Sequence, residues 1–564
     1  MSVLAIDAGT TGVTALVISA DGAVTGRGYE EFPQFYPEPG WVEHLPEGIW
    51  QATLAACGQA LDGAAPPSCV GITNQRETAV IWDRATLVAP RRAIVWQDRR
   101  TAGICARLRD QGHEPRVAEL TGLRLDPYFT ATKLTWLAEH EPALWADVTA
   151  GSLAVGTVDS YLIARLSGGR RHVTDASNAS RTLLFDIEAG QWSAELCQLF
   201  GVPPHALPEV VPSSGVVAQT DPEAFLGLSL PIAGIAGDQQ AAMFGQACFS
   251  LGSAKCTYGT GSFVLCHTGT SIVRSPAGLL STVAWMDEAG ALTYALEGSV
   301  FVTGAAVQWL RDGLGLLDNA AQSEALARSV PDSGGTVFVP ALTGLGAPYW
   351  DPDARGAMFG LTRGTTRAHL VRAALEAIAF EVRDVADLMG SSAGFLTEGS
   401  PLRVDGGASA NDLLMQMQAD QLQVPVERPV VAETTALGAA FLAGLATGVW
   451  SSTAELAAAW QLDRRFSPGP RDEPAYAWWR EAVQRTRGWA SSGCAARPHA
   501  TTRRPARPGG RARTAGRAAR RPRARRATTT RRWPARPGRP PPARWSRRPP
   551  AARPAPGAGR PASA

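Results

Sequence analysis

Val3-Leu-Ala-Ile-Asp-Ala-Gly-Thr-Thr11 decides how this 564-residue chain is read. Val3 to Ile6 is an apolar strand, Asp7 to Thr11 a tight turn, and Val13 to Ile18 resumes an apolar strand. Halfway along the pattern returns: Ala254-Lys-Cys-Thr-Tyr258 runs into Gly259-Thr-Gly261, and Ser262 to Cys266 resumes. Glycine permits positive φ and close backbone approach. Successive N–H groups in such a turn form an anion-binding concavity. Two such hairpins, one from each half, would grip a nucleotide's phosphates from both sides.

Outward from the first hairpin, strand signals lie at 3–7, 13–18 and 23–29, with a turn at Asp21-Gly22. Helical spacing over Ile49 to Leu61 precedes a short buried strand, Cys69 to Thr73. Strands, then helix, then strand is the order of a mixed sheet with crossovers. The second half repeats it. Strands at 254–267, 279–285 and 292–297 precede a helix at 303–313, and Val337 to Ala341 is a further strand. A long helix begins at Arg367, with Val371, Ala374, Leu375, Ile378 and Val382 on one face. Leu402 to Asp405 is a strand ending at Gly406-Gly407, followed by helix 410–422 and a small-residue helix from Thr434 to Gly448. The expectation is an α/β chain of two domains, 1–246 and 247–490, because its length exceeds what one core supports.

The net charge of +3 hides an asymmetry. From Ser491 onward there are 21 Arg and no Lys, Asp or Glu, which leaves the preceding residues at −18 (the chain's +3 less those 21). Residues 491–564 hold almost no aliphatic side chains, so disorder is expected there. An out-of-frame tail is favoured over a nucleic-acid arm, since only Trp533 and Trp545 interleave the arginines. No apolar run of about 18 residues suggests a membrane span. The eight cysteines lack metal-ligand spacing and read as reduced thiols of a cytoplasmic protein.

Four segments carry candidate chemistry. Asp7 at a strand end beside Thr10 and Thr11 suits Mg²⁺, directly or through water, with the hydroxyls donating to phosphate; an ordinary Asp-Gly turn is the plain alternative. Asp405-Gly-Gly-Ala-Ser409 suits an adenine or ribose, or is simply a tight turn between strand and helix. Asp238, after the apolar strand ending Gly234-Ile-Ala-Gly237, suits a general base or a helix N-cap. Thr73-Asn-Gln-Arg-Glu77 offers Arg76 as donor and Glu77 as acceptor to a small polyol, or forms a surface salt bridge.

Longer strings sharpen this. Tyr36-Pro-Glu-Pro-Gly-Trp-Val-Glu-His44, Gly71-Ile-Thr-Asn-Gln-Arg-Glu77, Ala93-Ile-Val-Trp-Gln97, Asp126-Pro-Tyr-Phe129, Gly234-Ile-Ala-Gly-Asp-Gln-Gln240 and Ala347-Pro-Tyr-Trp-Asp351 resemble, in order, the glycerol-phosphorylating members of the FGGY carbohydrate kinase family. The resemblance spans residues 1 to about 490. It implies two actin-like, ribonuclease-H-like domains around a central cleft, and phosphoryl transfer from MgATP to the 3-hydroxyl of glycerol. It implies that Arg76, Glu77, Tyr128, Asp238 and Gln239 bind glycerol, with Trp96 and Phe263 walling its carbons and Asp238 as base. Thr10, Thr11, Gly12, Thr260, Gly304, Gln308, Gly407 and Asn411 would contact ATP, and Asp7 would organise Mg²⁺. The expected partner is glycerol, without nucleic acid or membrane, in a homodimer or homotetramer. Three features depart from the family pattern. Thr14 stands where many members carry an Arg that meets ADP phosphates. Asp221 to Gly227 is acidic where some bacterial members have a Gly/Arg-rich effector loop, and it contains no histidine for a phosphohistidine switch.

Overall fold

Each half of the chain builds one mixed sheet around its own Gly/Thr hairpin. A computed structural model describes residues 1–275, 278–393 and 400–490; the disorder expected over 491–564 concerns residues outside that set. The first sheet contains β1 (Ser2–Ala8), β2 (Gly12–Ser19), β3 (Val24–Glu31), β4 (Cys69–Asn74), β5 (Ser214–Gln219) and β6 (Pro231–Gly237), in the order β5-β6-β4-β1-β2-β3. The second contains β7 (Ala254–Tyr258), β8 (Ser262–Gly269), β9 (Leu280–Met286), β10 (Leu292–Val300), β11 (Leu402–Asp405), β12 (Val426–Pro429) and β13 (Leu462–Phe466), in the order β9-β10-β8-β7-β11-β12-β13. In both, the antiparallel hairpin sits centrally and its first strand pairs in parallel with a strand from far along the chain. Asp7 lies opposite Thr73 across the parallel pair and opposite Thr14 across the hairpin. In the second sheet Thr257 lies opposite Asp405.

The helices that position the site are α1 (Pro46–Leu61), α2 (Asp238–Gly245), α3 (Gly304–Asp312), α4 (Arg367–Ala393), α5 (Asp412–Leu422) and α6 (Thr434–Ala446). The two-residue period of a strand divides its side chains between two faces. Leu4, Ile6, Ala15 and Val17 share a core with Ile49, Trp50 and Ala56 of α1. Val3, Ala5, Leu16 and Ile18 face the other way, onto Ala436, Ala440 and Phe441 of α6. Burial on both faces explains the unbroken apolar runs. The periodic face of α4, through Val371, Leu375, Ile378 and Val382, packs into the core of the second sheet.

Helix α6 thus belongs to the second half in sequence and to the first sheet in packing. Its small residues have a backbone reason. A Cβ at Gly71 would stand 2.1 Å from the Ala439 carbonyl, and one at Gly438 would stand 1.8 Å from that of Ala241 in α2. The segment between β4 and β5, whose helices the sequence pattern leaves unread, packs onto the second sheet: Leu123, Phe129 and Leu184 share a core with Phe263, Leu265, Leu280 and Ala295. Among the described residues no helix is long and apolar enough to cross a membrane, and the seven described cysteines are buried and unpaired.

Candidate active site

The first turn is tied down from three directions. Gln75 Nε2 donates to the Gly9 carbonyl (3.0 Å), Gln34 Nε2 to the Thr10 carbonyl (3.1 Å), and Trp96 Nε1 to Thr10 Oγ1 (3.0 Å). Thr11 is exposed, and Gly12 opens β2. The second turn closes on itself through Gly259 N–H to Gly261 O (2.9 Å). Helix α3 starts against it: Gly304 N–H donates to Gly259 O (3.0 Å), and the Thr303 and Ala305 N–H groups donate to Thr260 O (2.8 and 3.1 Å). A Cβ at Gly304 would lie 2.6 Å from Gly259 O, so this contact requires glycine. Thr260 and, one helical turn beyond Gly304, Gln308 are exposed.

Beyond β11 the chain turns through Gly406 at φ 83°. A Cβ on the next residue, Gly407, would meet nothing within 4 Å. Asn411 is the N-cap of α5: its Oδ1 accepts from Leu414 N–H (3.0 Å) and its Nδ2 donates to Ser323 Oγ (3.2 Å).

Between the two sheets lies a buried polar cluster built around Arg76. Its Nη1 donates to Glu297 Oε2 (2.6 Å) and Gln240 Oε1 (3.1 Å); Nη2 donates to Glu297 Oε1 and to the Tyr128 hydroxyl (3.1 Å each). Nε faces Asp238 Oδ1 at 3.2 Å. A guanidinium has five N–H donors; the four on Nη1 and Nη2 are taken by protein acceptors, while Nε makes only the ion contact with Asp238. Because Tyr128 Oη accepts from Arg76, its own hydrogen is left to point elsewhere. Burial pushes the Tyr128 phenol up, so it stays protonated. Glu77 holds φ at 62°, rare for a residue with a Cβ. That turn brings Glu77 Oε1 to Arg181 Nε at 2.8 Å, and Arg181 Nη2 reaches Glu297 Oε1 at 2.8 Å. Burial alone would neutralise Glu297, but the Arg181 and Arg76 guanidiniums hold its carboxyl down at about 2. The surface salt bridge considered for Arg76 and Glu77 is therefore a buried network.

Asp238 is the first residue of α2, with Gly237 as the cap, so it does not serve as the N-cap. Its Oδ1 accepts from Gln239 N–H (2.7 Å). It keeps 28 % of its side-chain surface accessible against 1 % for Arg76, which makes it the member of the cluster open to a ligand. Burial raises Asp238 while Arg76 and Lys255 oppose the rise. Lys255, fully buried on β7, donates to Gln239 Oε1 (2.5 Å) and Thr257 Oγ1 (2.8 Å). Asp7 is lifted to about 7, first by burial and then by the nearby Asp238 charge; among the described residues no cation offsets either. Among the described residues no three His, Cys, Asp or Glu side chains gather as a metal cage. An oxygen-seeking Mg²⁺ needs none, since one or two carboxylates plus substrate phosphates commonly hold it. The uncompensated Asp7 fits that donor set. The Trp96 ring meets Tyr128 edge-on at 5.6 Å and Phe263 at 6.2 Å, with the Arg76 guanidinium 5.9 Å from Phe263.

Two family models match in succession. The N-terminal domain of the FGGY family of carbohydrate kinases matches residues 2–245, and the C-terminal domain of the same family matches 254–447. The chain belongs to the FGGY family of carbohydrate kinases. Its two-domain α/β architecture is that of the family, as expected from the repeated hairpins. The chain is 56 % identical to a glycerol kinase of Aromatoleum aromaticum over 87 % of this chain and 99 % of that protein. It is 52 % identical to glycerol kinase 2 of Thermotoga maritima, over 86 % and 99 %. Among solved structures, a Plasmodium falciparum glycerol kinase with ADP matches at a TM-score of 0.78 and 34 % identity, covering 86 % of this chain and 98 % of that one.

Four residues of this FGGY kinase's cluster are assigned no role by the sequence motifs: Arg181, Gln240, Lys255 and Glu297. Two carried a signal. Glu297 interrupts the apolar run Tyr294 to Val300, and Lys255 is one of two lysines in the chain and stands inside an apolar strand. A charge inside a buried strand demands a partner. Nothing local marks Arg181, and Gln240 closes the string Gly234 to Gln240 without a role having been read for it.

Proposed function

We propose that this FGGY kinase transfers the γ-phosphoryl group of ATP to the 3-hydroxyl of glycerol, giving sn-glycerol 3-phosphate. The observation that carries the acceptor is the 56 % identity to a glycerol kinase across nearly all of that protein. The buried donors and acceptors at Arg76, Glu77, Tyr128 and Gln239, beside the Trp96 and Phe263 rings, support a short polyol. Asp238 is the general base: its carboxylate takes the proton of the acceptor hydroxyl as that oxygen bonds to the γ-phosphorus and the bond to the β,γ-bridging oxygen breaks. Such transfer asks for positioning and charge neutralisation rather than covalent chemistry. Thr10, Thr11 and Gly12 from one turn, and Thr260, Gly304, Gln308, Gly407 and Asn411 from the other half, hold the nucleotide. Asp7 would hold Mg²⁺, which supplies positive charge to the phosphate oxygens. Residues 1–246 carry the acceptor side and 247–490 the nucleotide side, in a cytoplasmic enzyme that assembles as a homodimer or homotetramer.

The test is ADP release coupled to NADH oxidation, with glycerol, dihydroxyacetone, xylulose and ribulose as acceptors. Glycerol should give the highest kcat/KM. A pentulose preferred over glycerol, or ADP release independent of any acceptor, refutes the reading.

A further inference from the structure

We infer that Glu297 and Arg181 are positioning residues for the acceptor, setting where Arg76 and Tyr128 present their polar atoms; this rests on the glycerol reading above. Three distant segments meet here: Arg76 follows β4, Arg181 lies in the segment packed on the second sheet, and Glu297 is on β10. The Glu297 carboxylate receives four donors. Oε2 takes Arg76 Nη1; Oε1 takes Arg76 Nη2, Arg181 Nη2 and Ser299 Oγ (3.0 Å). The paired contact with Arg76 fixes the plane of its guanidinium, as a fork-to-carboxylate bond does. With that plane fixed, the Nε and Nη2 edge is turned toward Asp238 and Tyr128. Arg181 works on the other partner. Its guanidinium carbon stands 5.6 Å from the Tyr128 ring centre and 5.3 Å from that of Phe129, while its Nε holds Glu77. Arg76, Arg181, Glu77 and Glu297 form a neutral quartet, each almost wholly buried. None of these contacts involves either phosphate turn, so the quartet should act on the acceptor and leave the nucleotide alone.

Glu297→Gln keeps the shape and removes the charge. Glycerol KM should rise at least about tenfold, the size of one charge-assisted hydrogen bond, with ATP KM within about twofold. Because Glu297 acts through Arg76, adding Glu297→Gln to Arg76→Lys should change glycerol kcat/KM by less than about twofold. Effects that multiply, or glycerol and ATP KM rising together, overturn the inference. Should Glu297→Gln fail to fold, Arg181→Lys, which retains the charge, decides instead: glycerol KM up at least about threefold at constant ATP KM supports it, and an equal rise in both overturns it. Wild-type enzyme that ignores glycerol overturns the acceptor reading and this inference with it. Wild type that uses glycerol while Glu297→Gln keeps its glycerol KM overturns the inference alone.

Discussion

Replacing Trp96 by Phe deletes one hydrogen bond and tests whether the acceptor pocket is wired to the first phosphate turn. The indole N–H lies 3.0 Å from Thr10 Oγ1. It can only donate, so the Thr10 hydroxyl accepts, and its own hydrogen is directed away from the indole toward whatever the turn binds. A phenyl ring preserves much of the contact with Tyr128 and Phe263 but frees that hydroxyl to rotate. A neutral hydrogen bond of this kind contributes about 1 kcal/mol, or about a fivefold factor. We expect Trp96→Phe to lower kcat/KM for ATP about fivefold, although Trp96 belongs to the acceptor wall. The assay is a double-mutant cycle with Thr10→Val, in initial rates with ATP varied at saturating glycerol. Once Thr10 has lost its hydroxyl, Trp96→Phe should cost almost nothing more, giving a coupling of about 1 kcal/mol. Independent, multiplying effects would refute the link.

Three further outcomes follow from the geometry. Asp238→Asn should lower kcat by about 10²–10⁴ with little change in ATP KM, the range for loss of a general base; activity within a few-fold of wild type removes Asp238 from that role. Gly304→Ala puts a methyl group 2.6 Å from Gly259 O, so ATP KM should rise at least about tenfold, as when a backbone anion cradle shifts, with glycerol KM little changed; an unaltered ATP KM contradicts the assigned turn. His44, fully buried beside Gln75 Nε2 at 3.3 Å, is pushed down to about 4 by burial. A folded value below the unfolded 6.5 means its stabilising contribution is present above pH 6.5 and lost as pH falls through about 4, a loss of about 3 kcal/mol. Urea unfolding of His44→Gln should therefore weaken less than wild type between pH 7 and pH 4.5, and parallel curves would exclude His44 as a source of acid sensitivity.

The parts of the fold legible in sequence were those fixed by local rules. An apolar run, a Gly/Thr turn and a second run announced both hairpins, and the spacing of Val371, Leu375, Ile378 and Val382 announced α4. Asp7 and Asp238 could be picked out because each ends a buried strand. Their electrostatic contact could not, since it depends on β1 and β6 pairing to either side of β4 in the first sheet, far apart in the chain. For the same reason Arg181 and Glu297 were invisible as partners: 116 residues separate them, and each makes sense only beside Arg76. Asn411 was expected as a nucleotide contact by resemblance alone; what the structure shows is the cap of α5. Helix α6 showed its small residues in sequence, but the close approaches that require them are non-local: the Ala241 carbonyl of α2 faces Gly438, and the Ala439 carbonyl of α6 faces Gly71 on β4.

The placement of α6 has a consequence for how the polypeptide is made. The apolar face of the first sheet, Val3, Ala5, Leu16 and Ile18, is finished by Ala436, Ala440 and Phe441. Roughly 200 residues separate the last strand of that sheet from α6, which at ribosomal speeds of about 5–20 residues per second is roughly 10–40 s. Through that interval the nascent N-terminal half carries a bare greasy surface that only later synthesis can cover. Splitting the gene at residue 246 should therefore yield an aggregating fragment rather than an independently soluble lobe, rescued only when the remainder is supplied as it emerges.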